Sequence, residues 1–292
     1  LTAEPAAGKT CLMSQLVMHT LRREESDLVP ILIKVQDLQR RLLTEANAAI
    51  FGRAWNWVDA YLRCVHGTDS GLHRMLRQAL CARRALILLD GIDEGGKRRE
   101  EIERHVVEVL APQGHLMVVT SRPNGLREDQ FREHFVHVRL EPLSDEQQRA
   151  VITQRVGTGE RSAQLTEYVR ERVPRGADGQ RVTGNPLMLS MVISIFESRQ
   201  KGDVGGAMPA TIAELYEIAA RTMLERVDRK ERGAAASVTA VPHLTGLLEA
   251  AFFQAHCAQA RQIEDVHLHR ALLAMFAPEK LVAMDGVGKQ LL

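Results

Sequence analysis

Three short segments follow one another along the first half of the chain, and their order constrains the fold more than any other feature. They are residues 3–10, with the sequence AEPAAGKT, residues 86–94, LILLDGIDE, and residues 117–123, MVVTSRP. They carry in turn a lysine beside a threonine hydroxyl, three carboxylates, and an arginine. If strands of a parallel sheet bring these loops to one edge, the side chains can converge on a single nucleoside triphosphate.

The first segment contains most of the G-x-x-x-x-G-K-[ST] pattern, which binds phosphate through backbone N–H groups at the start of a helix. Gly8, Lys9 and Thr10 match it, whereas Ala3 stands where the first glycine is expected. Lys9 is expected to reach the β- and γ-phosphates, and Thr10 to bind Mg²⁺. The residues expected around the phosphates are Pro5, Ala6, Ala7, Gly8, Lys9, Thr10 and Cys11. The alternative is an ordinary helix start with a solvated lysine.

An acidic group follows the apolar run at 86–89. A continuous apolar run indicates a strand buried on both faces of a parallel sheet. Asp90 ends it, where a carboxylate can hold Mg²⁺ directly or through water. Asp93 and Glu94 come next, and either could orient or deprotonate an attacking water. The alternative is that Asp90 only starts a turn with Gly91.

Arg122 occupies the equivalent position after a second apolar run, residues 116–119. From there an arginine can contact the γ-phosphate and so distinguish a triphosphate from a diphosphate. The alternative is a surface arginine before a Pro-Asn-Gly turn.

Strand and helix patterns alternate up to residue 140, which predicts an α/β domain with a doubly wound parallel sheet, the fold of a P-loop NTPase. The predicted strands are 29–35, 86–89, 116–119 and, nearer the sheet edge, 136–140, with a short strand at 1–3. The predicted helical segments are 9–23, 36–67, 72–83 and 98–110. The strand at 86–89 is expected beside 116–119 or beside 1–3.

Beyond residue 140 the pattern is helical. Residues 144–147, SDEQ, form a capping box that starts a helix. Further helices are predicted at 161–172, 186–199, 211–227 and within 244–276, with loops at 202–208 and 233–237. We expect an NTPase core at 1–140, a helical domain at 141–205 and a third region at 206–292.

Composition excludes several classes of protein. The net charge is +1, which gives no reason to expect nucleic-acid or membrane binding. Four scattered cysteines without ligand spacing favour free thiols in the cytoplasm over disulfides or zinc. Because the strand before the phosphate loop is so short, we also expect the chain to be a fragment of a longer protein.

The chain resembles the NACHT domain of the STAND class of signal-transduction NTPases. The segments that carry the resemblance are 4–10, 88–94, 120–123, 135–147, 184–187 and 211–216. The resemblance implies ATP or ADP with Mg²⁺ as ligands, and a winged-helix region beginning within 206–292. It also implies a switch in which nucleotide exchange opens the chain, which then associates with itself or with protein partners.

The resemblance further implies a role for each site residue. Those roles are phosphate binding by Lys9, magnesium binding by Thr10 and Asp90, orientation of water by Asp93, γ-phosphate sensing by Arg122, and packing on adenine by Pro186. Two departures stand out. Ala3 and Ala6 replace glycines common in this loop, and alanine is strained by about 1 kcal/mol wherever φ must be positive. The histidine expected late in the winged-helix region has no counterpart.

Three functions are compatible with these residues. The first is a slowly hydrolysing ATP-binding switch. The second is an interaction scaffold, which either binds nucleotide without hydrolysing it or has a decayed site that no longer responds to nucleotide. The two alanines favour a decayed site, whereas the presence of Lys9, Thr10, Asp90 and Arg122 disfavours it. The third is a P-loop metabolic kinase, which would need a substrate pocket and a basic lid that the sequence does not show.

Overall fold

The computed structural model describes residues 1–23, 27–173, 175, 179–200, 207–221, 240–260 and 263–276. The chain forms two compact units. The first is Leu1–Gln148 with Thr183–Leu189, and the second is Arg149–Val182 with Ser190–Leu292. Among the described helices, none is both long and apolar enough to cross a membrane.

A parallel sheet organises the first unit. Its strands are β1 (Val29–Lys34), β2 (Ala85–Asp90) and β3 (Leu116–Val119), in the order β1-β2-β3. Leu88 pairs with Leu32 on one side and with Val118 on the other. Every residue of β2 is buried, as its unbroken apolar sequence predicts. The predicted pairing of residues 86–89 with 116–119 is confirmed.

Helices cover both faces of this sheet because successive side chains of β2 point in opposite directions. Leu86 and Leu88 pack with Met13 of the first helix. Ile87 and Leu89 belong to the larger core on the opposite face. This is the doubly wound arrangement expected of a P-loop NTPase.

The helices of the first unit lie within or close to the predicted helical segments, except the short α7, which was not predicted. They are α1 (Lys9–Arg22), α2 (Val35–Leu43), α3 (Ala48–Arg53), α4 (Trp57–His66), α5 (Gly71–Cys81), α6 (Arg99–His105) and the short α7 (Glu128–Phe131). The predicted helical insertion at 36–67 thus contains α2, α3 and α4. The predicted helix at 98–110 changes after α6 into one turn of π-helix, Val106–Leu110.

The expected strands at 1–3 and 136–140 form only bridges. Thr2 pairs in parallel with Ser121, two residues after β3, and with Arg139 on its other side. Val136 is 87% exposed. The prediction of a full strand at 136–140 is therefore wrong, because this segment pairs with the chain around Thr2 only at the single bridge of Arg139.

A buried ion cluster in the helical insertion was not predicted. Asp59 of α4 is fully buried, and its carboxylate lies 2.7 Å from the Arg63 guanidinium. Arg77 and His73 of α5 lie 3.4 and 3.5 Å from the same carboxylate. Moving a charge from water into the protein interior is unfavourable unless the charge is paired. The contacts of His73 and Arg77 with the Asp59 carboxylate supply such pairing and so hold α4 against α5.

The remaining described helices are α8 (Asp145–Val156), α9 (Glu160–Glu171), α10 (Pro186–Gln200), α11 (212–221), α12 (Ala240–Cys257) and α13 (Asp265–Phe276). The predicted capping box is present before α8. The Gln147 backbone N–H donates to Ser144 Oγ at 3.2 Å, and the Ser144 N–H donates to Gln147 Oε1 at 2.9 Å.

Parts of the later predictions lie outside the described residues. These parts are 202–206, 222–227 and 233–237. In the described stretches after residue 140, regular secondary structure is helical, and the one additional pairing is the bridge between Arg175 and Arg181. The domain limits and the winged-helix region stay predictions.

Candidate functional site

The phosphate-loop segment forms a tight turn between Ala3 and α1. Gly8 precedes the helix with φ 95° and ψ 16°, a left-handed conformation that glycine adopts without strain. Ala6 also has a positive φ, 61°, whereas Ala3 does not. Of the two alanines expected to matter, only Ala6 therefore carries backbone strain.

The Lys9 ammonium lies folded back over this turn. It donates to the carbonyl oxygens of Ala3 at 2.6 Å and Glu4 at 3.1 Å. Partial burial lowers the pKa of Lys9, while the carboxylates of Asp93 and Asp90 raise it and the Arg122 guanidinium lowers it. Charged residues from all three sequence segments are therefore close enough to affect the pKa of Lys9.

Asp90 is the centre of the site. Its carboxylate is at the carboxyl end of β2, and the residue is 8% exposed. The Thr10 hydroxyl donates to Asp90 Oδ2 at 2.7 Å, and the Thr120 hydroxyl donates to Oδ1 at 2.8 Å. The two residues expected to hold magnesium are thus in direct contact although they are 80 positions apart.

Asp93 and Arg122 form an ion pair. Arg122 Nε lies 3.1 Å from Asp93 Oδ2, and the Arg122 backbone N–H donates to Oδ1 at 3.2 Å. Gly125 packs against the same aspartate, since a Cβ at position 125 would lie 2.6 Å from the Asp93 Cβ. The turn after β3 therefore needs glycine at this point to approach Asp93.

Glu94 differs from Asp93 in its surroundings. Its carboxyl group folds over Gly91, where an added Cβ would lie 3.3 Å from Glu94 Oε2. Partial burial raises the pKa of Glu94, the neighbouring Asp93 carboxylate raises it further, and Arg122 opposes both. A raised pKa favours proton transfer near neutral pH. Both acids thus remain candidates for acting on water.

Pro186 also lies at the phosphate loop. A Cβ on Gly8 would be 3.8 Å from the Pro186 ring, and the Asn185 side-chain amide donates to the Pro5 carbonyl at 2.9 Å. The start of α10 is thereby attached to the loop. Cys11, which was expected near the phosphates, is exposed in the first turn of α1.

A protein-family comparison agrees with this geometry. The NACHT domain model matches residues 4–157, more than half of the chain. The chain belongs to the NACHT family. Its NACHT domain is a nucleotide-binding module of the P-loop NTPases in the STAND class. No curated protein matches the chain.

Two side-chain oxygens of this NACHT domain are suitable ligands for Mg²⁺ bound together with a nucleotide. Magnesium prefers oxygen ligands, usually one or two from protein, with phosphates and waters completing the octahedron. Thr10 Oγ1 and Asp90 Oδ2, 2.7 Å apart, are such a pair. The described residues contain no cluster of three His, Cys, Asp or Glu side chains able to hold a metal by themselves.

Three residues of the NACHT site were missed as functional candidates. Thr120 and Gly125 stand within or just after the Thr-Ser-Arg-Pro segment, and Asn185 stands directly before Pro186. A glycine two positions after a proline is a signal for a turn. Sequence gave no signal that Thr120 or Asn185 would reach Asp90 or Pro5.

The strain at Ala6 can be measured. Replacing Ala6 with glycine should leave the free energy of unfolding unchanged or raise it by up to about 0.6 kcal/mol, because relief of about 1 kcal/mol of left-handed strain offsets the roughly 0.4–1 kcal/mol of entropy that glycine adds to the unfolded chain. Urea denaturation of wild type and Ala6→Gly would measure this change.

Ala7→Gly is the matched control, since Ala7 has no positive φ. That variant should lose about 0.4–1 kcal/mol. If both glycine variants are destabilised alike, the loop is not strained at Ala6.

Proposed function

We propose that this NACHT domain is a Mg²⁺-dependent ATP-binding module that hydrolyses ATP slowly and works as a nucleotide-controlled switch in signalling. The observation that carries the proposal is the contact between Thr10 and Asp90 beside Lys9. It joins a phosphate-loop hydroxyl to a carboxylate on a neighbouring strand, as a metal–nucleotide site requires.

Phosphate binding is assigned to the turn at residues 5–11. Its N–H groups and the start of α1 attract negative charge. Lys9 bonds to two backbone carbonyls and can exchange these for phosphate oxygens without crossing the site. Bound Mg²⁺ would neutralise charge on the β- and γ-phosphates, held by Thr10 and Asp90.

We attribute slow hydrolysis to the pairing of Asp93 with Arg122. Arg122 contacts both carboxylate oxygens of Asp93, one through its guanidinium and one through its backbone N–H, and these contacts restrain the acid from orienting water. A γ-phosphate competes with Asp93 for the same guanidinium. The guanidinium contact would then be lost only when a triphosphate is bound, while the backbone N–H bond to Oδ1 can remain. This would couple activation of water to the nucleotide state.

A binding-only scaffold is the second candidate. The Asp93–Arg122 pair favours it if that pair persists in the ATP complex, and the strain at Ala6 favours weaker binding. No described feature supports a metabolic kinase.

The switch is assigned to the start of α10. Asn185 bonds to the phosphate loop and Pro186 lies against Gly8, and α10 then extends to Gln200. A nucleotide that touches Pro186 would therefore act on this helix. We propose the order NTPase core 1–140, helical domain 141–205 and winged-helix region 206–292, working in the cytoplasm through self-association or protein partners.

Lys9→Ala tests the phosphate site. Loss of a charge-assisted contact should weaken ATP binding at least about tenfold, equivalent to about 1.4 kcal/mol. Isothermal titration calorimetry measures this change. Lys97→Ala, which removes an exposed lysine from another loop, is the control and should bind like wild type. Unchanged affinity in Lys9→Ala would exclude the proposed phosphate loop.

Asp93→Asn tests the chemistry. Asparagine keeps the shape but cannot accept a proton, so ATP binding should persist while hydrolysis falls by about 100-fold. Phosphate release under single-turnover conditions measures it. Glu94→Gln is the parallel variant: a larger loss there would identify Glu94 as the group that acts on water. If wild type binds ATP and releases no phosphate, the binding-only scaffold is correct.

Hydrogen exchange tests the switch. A ligand can shift a conformational equilibrium only by its different affinity for the two states. We expect exchange in peptides covering α10 to differ between saturating ADP and saturating ATP, and the difference to disappear in Arg122→Ala. Identical exchange with both nucleotides, each shown to be bound, would contradict the switch.

A further inference from the structure

Thr120 bonds extensively to the Asp90 turn, although no site role was predicted for it. It follows β3 directly and is fully buried. Its backbone N–H donates to the Leu89 carbonyl at 2.9 Å, and its carbonyl accepts from the Ile92 N–H at 2.8 Å. Its hydroxyl donates to Asp90 and accepts from the Gly91 N–H, both at 2.8 Å. One residue thus bonds to four consecutive residues.

The hydroxyl and the backbone of Thr120 have separable effects. The two backbone bonds hold the ends of the turn at Leu89 and Ile92, and they do not depend on the side chain. The hydroxyl bonds act between these ends, on the Asp90 carboxylate and the Gly91 N–H. Removing the hydroxyl should therefore leave the turn in place and leave the carboxylate held on one side only, by the Thr10 hydroxyl.

The direction of the Asp90 carboxylate decides which oxygen can meet a metal. The Thr120 hydroxyl occupies Oδ1, which leaves Oδ2 towards Thr10. The two oxygens are chemically equivalent, so the Thr120 hydroxyl acts by fixing the plane of the carboxylate. A carboxylate held only by Thr10 would rotate over a wider range about its Cβ–Cγ bond and would lose that conformational freedom when the ion binds. Groups that orient a metal ligand in this way typically contribute 10–100-fold to metal affinity.

We propose that Thr120 is a positioning residue for the magnesium–nucleotide site. Its hydroxyl holds Asp90 with Oδ2 facing Thr10, so that the pair is ready to take up Mg²⁺ together with the phosphates. The inference rests on the proposed function, because it concerns how the same site binds its ion.

The test is the Mg²⁺ dependence of ATP affinity in Thr120→Val. Valine keeps the branched shape and removes the hydroxyl. The dissociation constant of ATP is measured by calorimetry in excess Mg²⁺ and in excess EDTA, and the ratio of the two values is the enhancement by magnesium. We expect Thr120→Val to reduce that ratio by about tenfold or more, with the EDTA value within about twofold of wild type.

Thr120→Ser is the matched control, because serine restores the hydroxyl without the methyl group. It should recover most of the magnesium enhancement. A residue that matters only for folding would instead weaken binding equally with and without Mg²⁺. If Thr120→Val does not fold, which circular dichroism would show, Thr120→Ala gives the same comparison with less crowding.

The possible results separate this inference from the proposed function. A wild-type protein whose ATP affinity does not depend on Mg²⁺ would overturn both. A wild-type enhancement that Thr120→Val or Thr120→Ala retains would overturn the positioning role alone. Failure of Thr120→Ser to recover the enhancement would do the same, since the hydroxyl would not be the group responsible.

Discussion

The hydrogen bonds to the Asp90 carboxylate are the interaction on which the rest of this site depends. Asp90 ends a strand that is buried along its whole length, so its charge lies at the limit of the core and must be paired. Thr10 and Thr120 supply that pairing from α1 and from the end of β3. One carboxylate thereby connects the phosphate loop, the central strand and its neighbour.

The same need for pairing applies to the other charges of the site. Lys9 bonds to loop carbonyls, and Asp93 bonds to Arg122. Each group that would act on a nucleotide thus has a protein partner that a phosphate or a metal can replace. Such exchangeable pairs make the arrangement of the site sensitive to a ligand.

Much of the fold could be predicted because buried strands and helices in a layered domain carry apolar residues in recognisable patterns. The apolar run of β2 indicated a central strand, and the spacing of apolar residues in α1 and α5 indicated helices. The capping box at Ser144 was recognisable because its two bonds join residues three apart. The strand at 136–140 was predicted wrongly, because the alternation of apolar and polar residues does not show how long the neighbouring strand is.

For the site, the sequence by itself determined which chemical groups are present and their order: the lysine and hydroxyl at residues 9 and 10, the acids at 90, 93 and 94, and Arg122. These are local patterns, readable because strand ends and helix starts are local. Only the tertiary structure decided how they pair. The contacts of Thr120 with Asp90, Arg122 with Asp93, and Asn185 with Pro5 join residues 30, 29 and 180 positions apart. Contacts over such distances depend on the packing of whole strands and helices, which no short segment encodes.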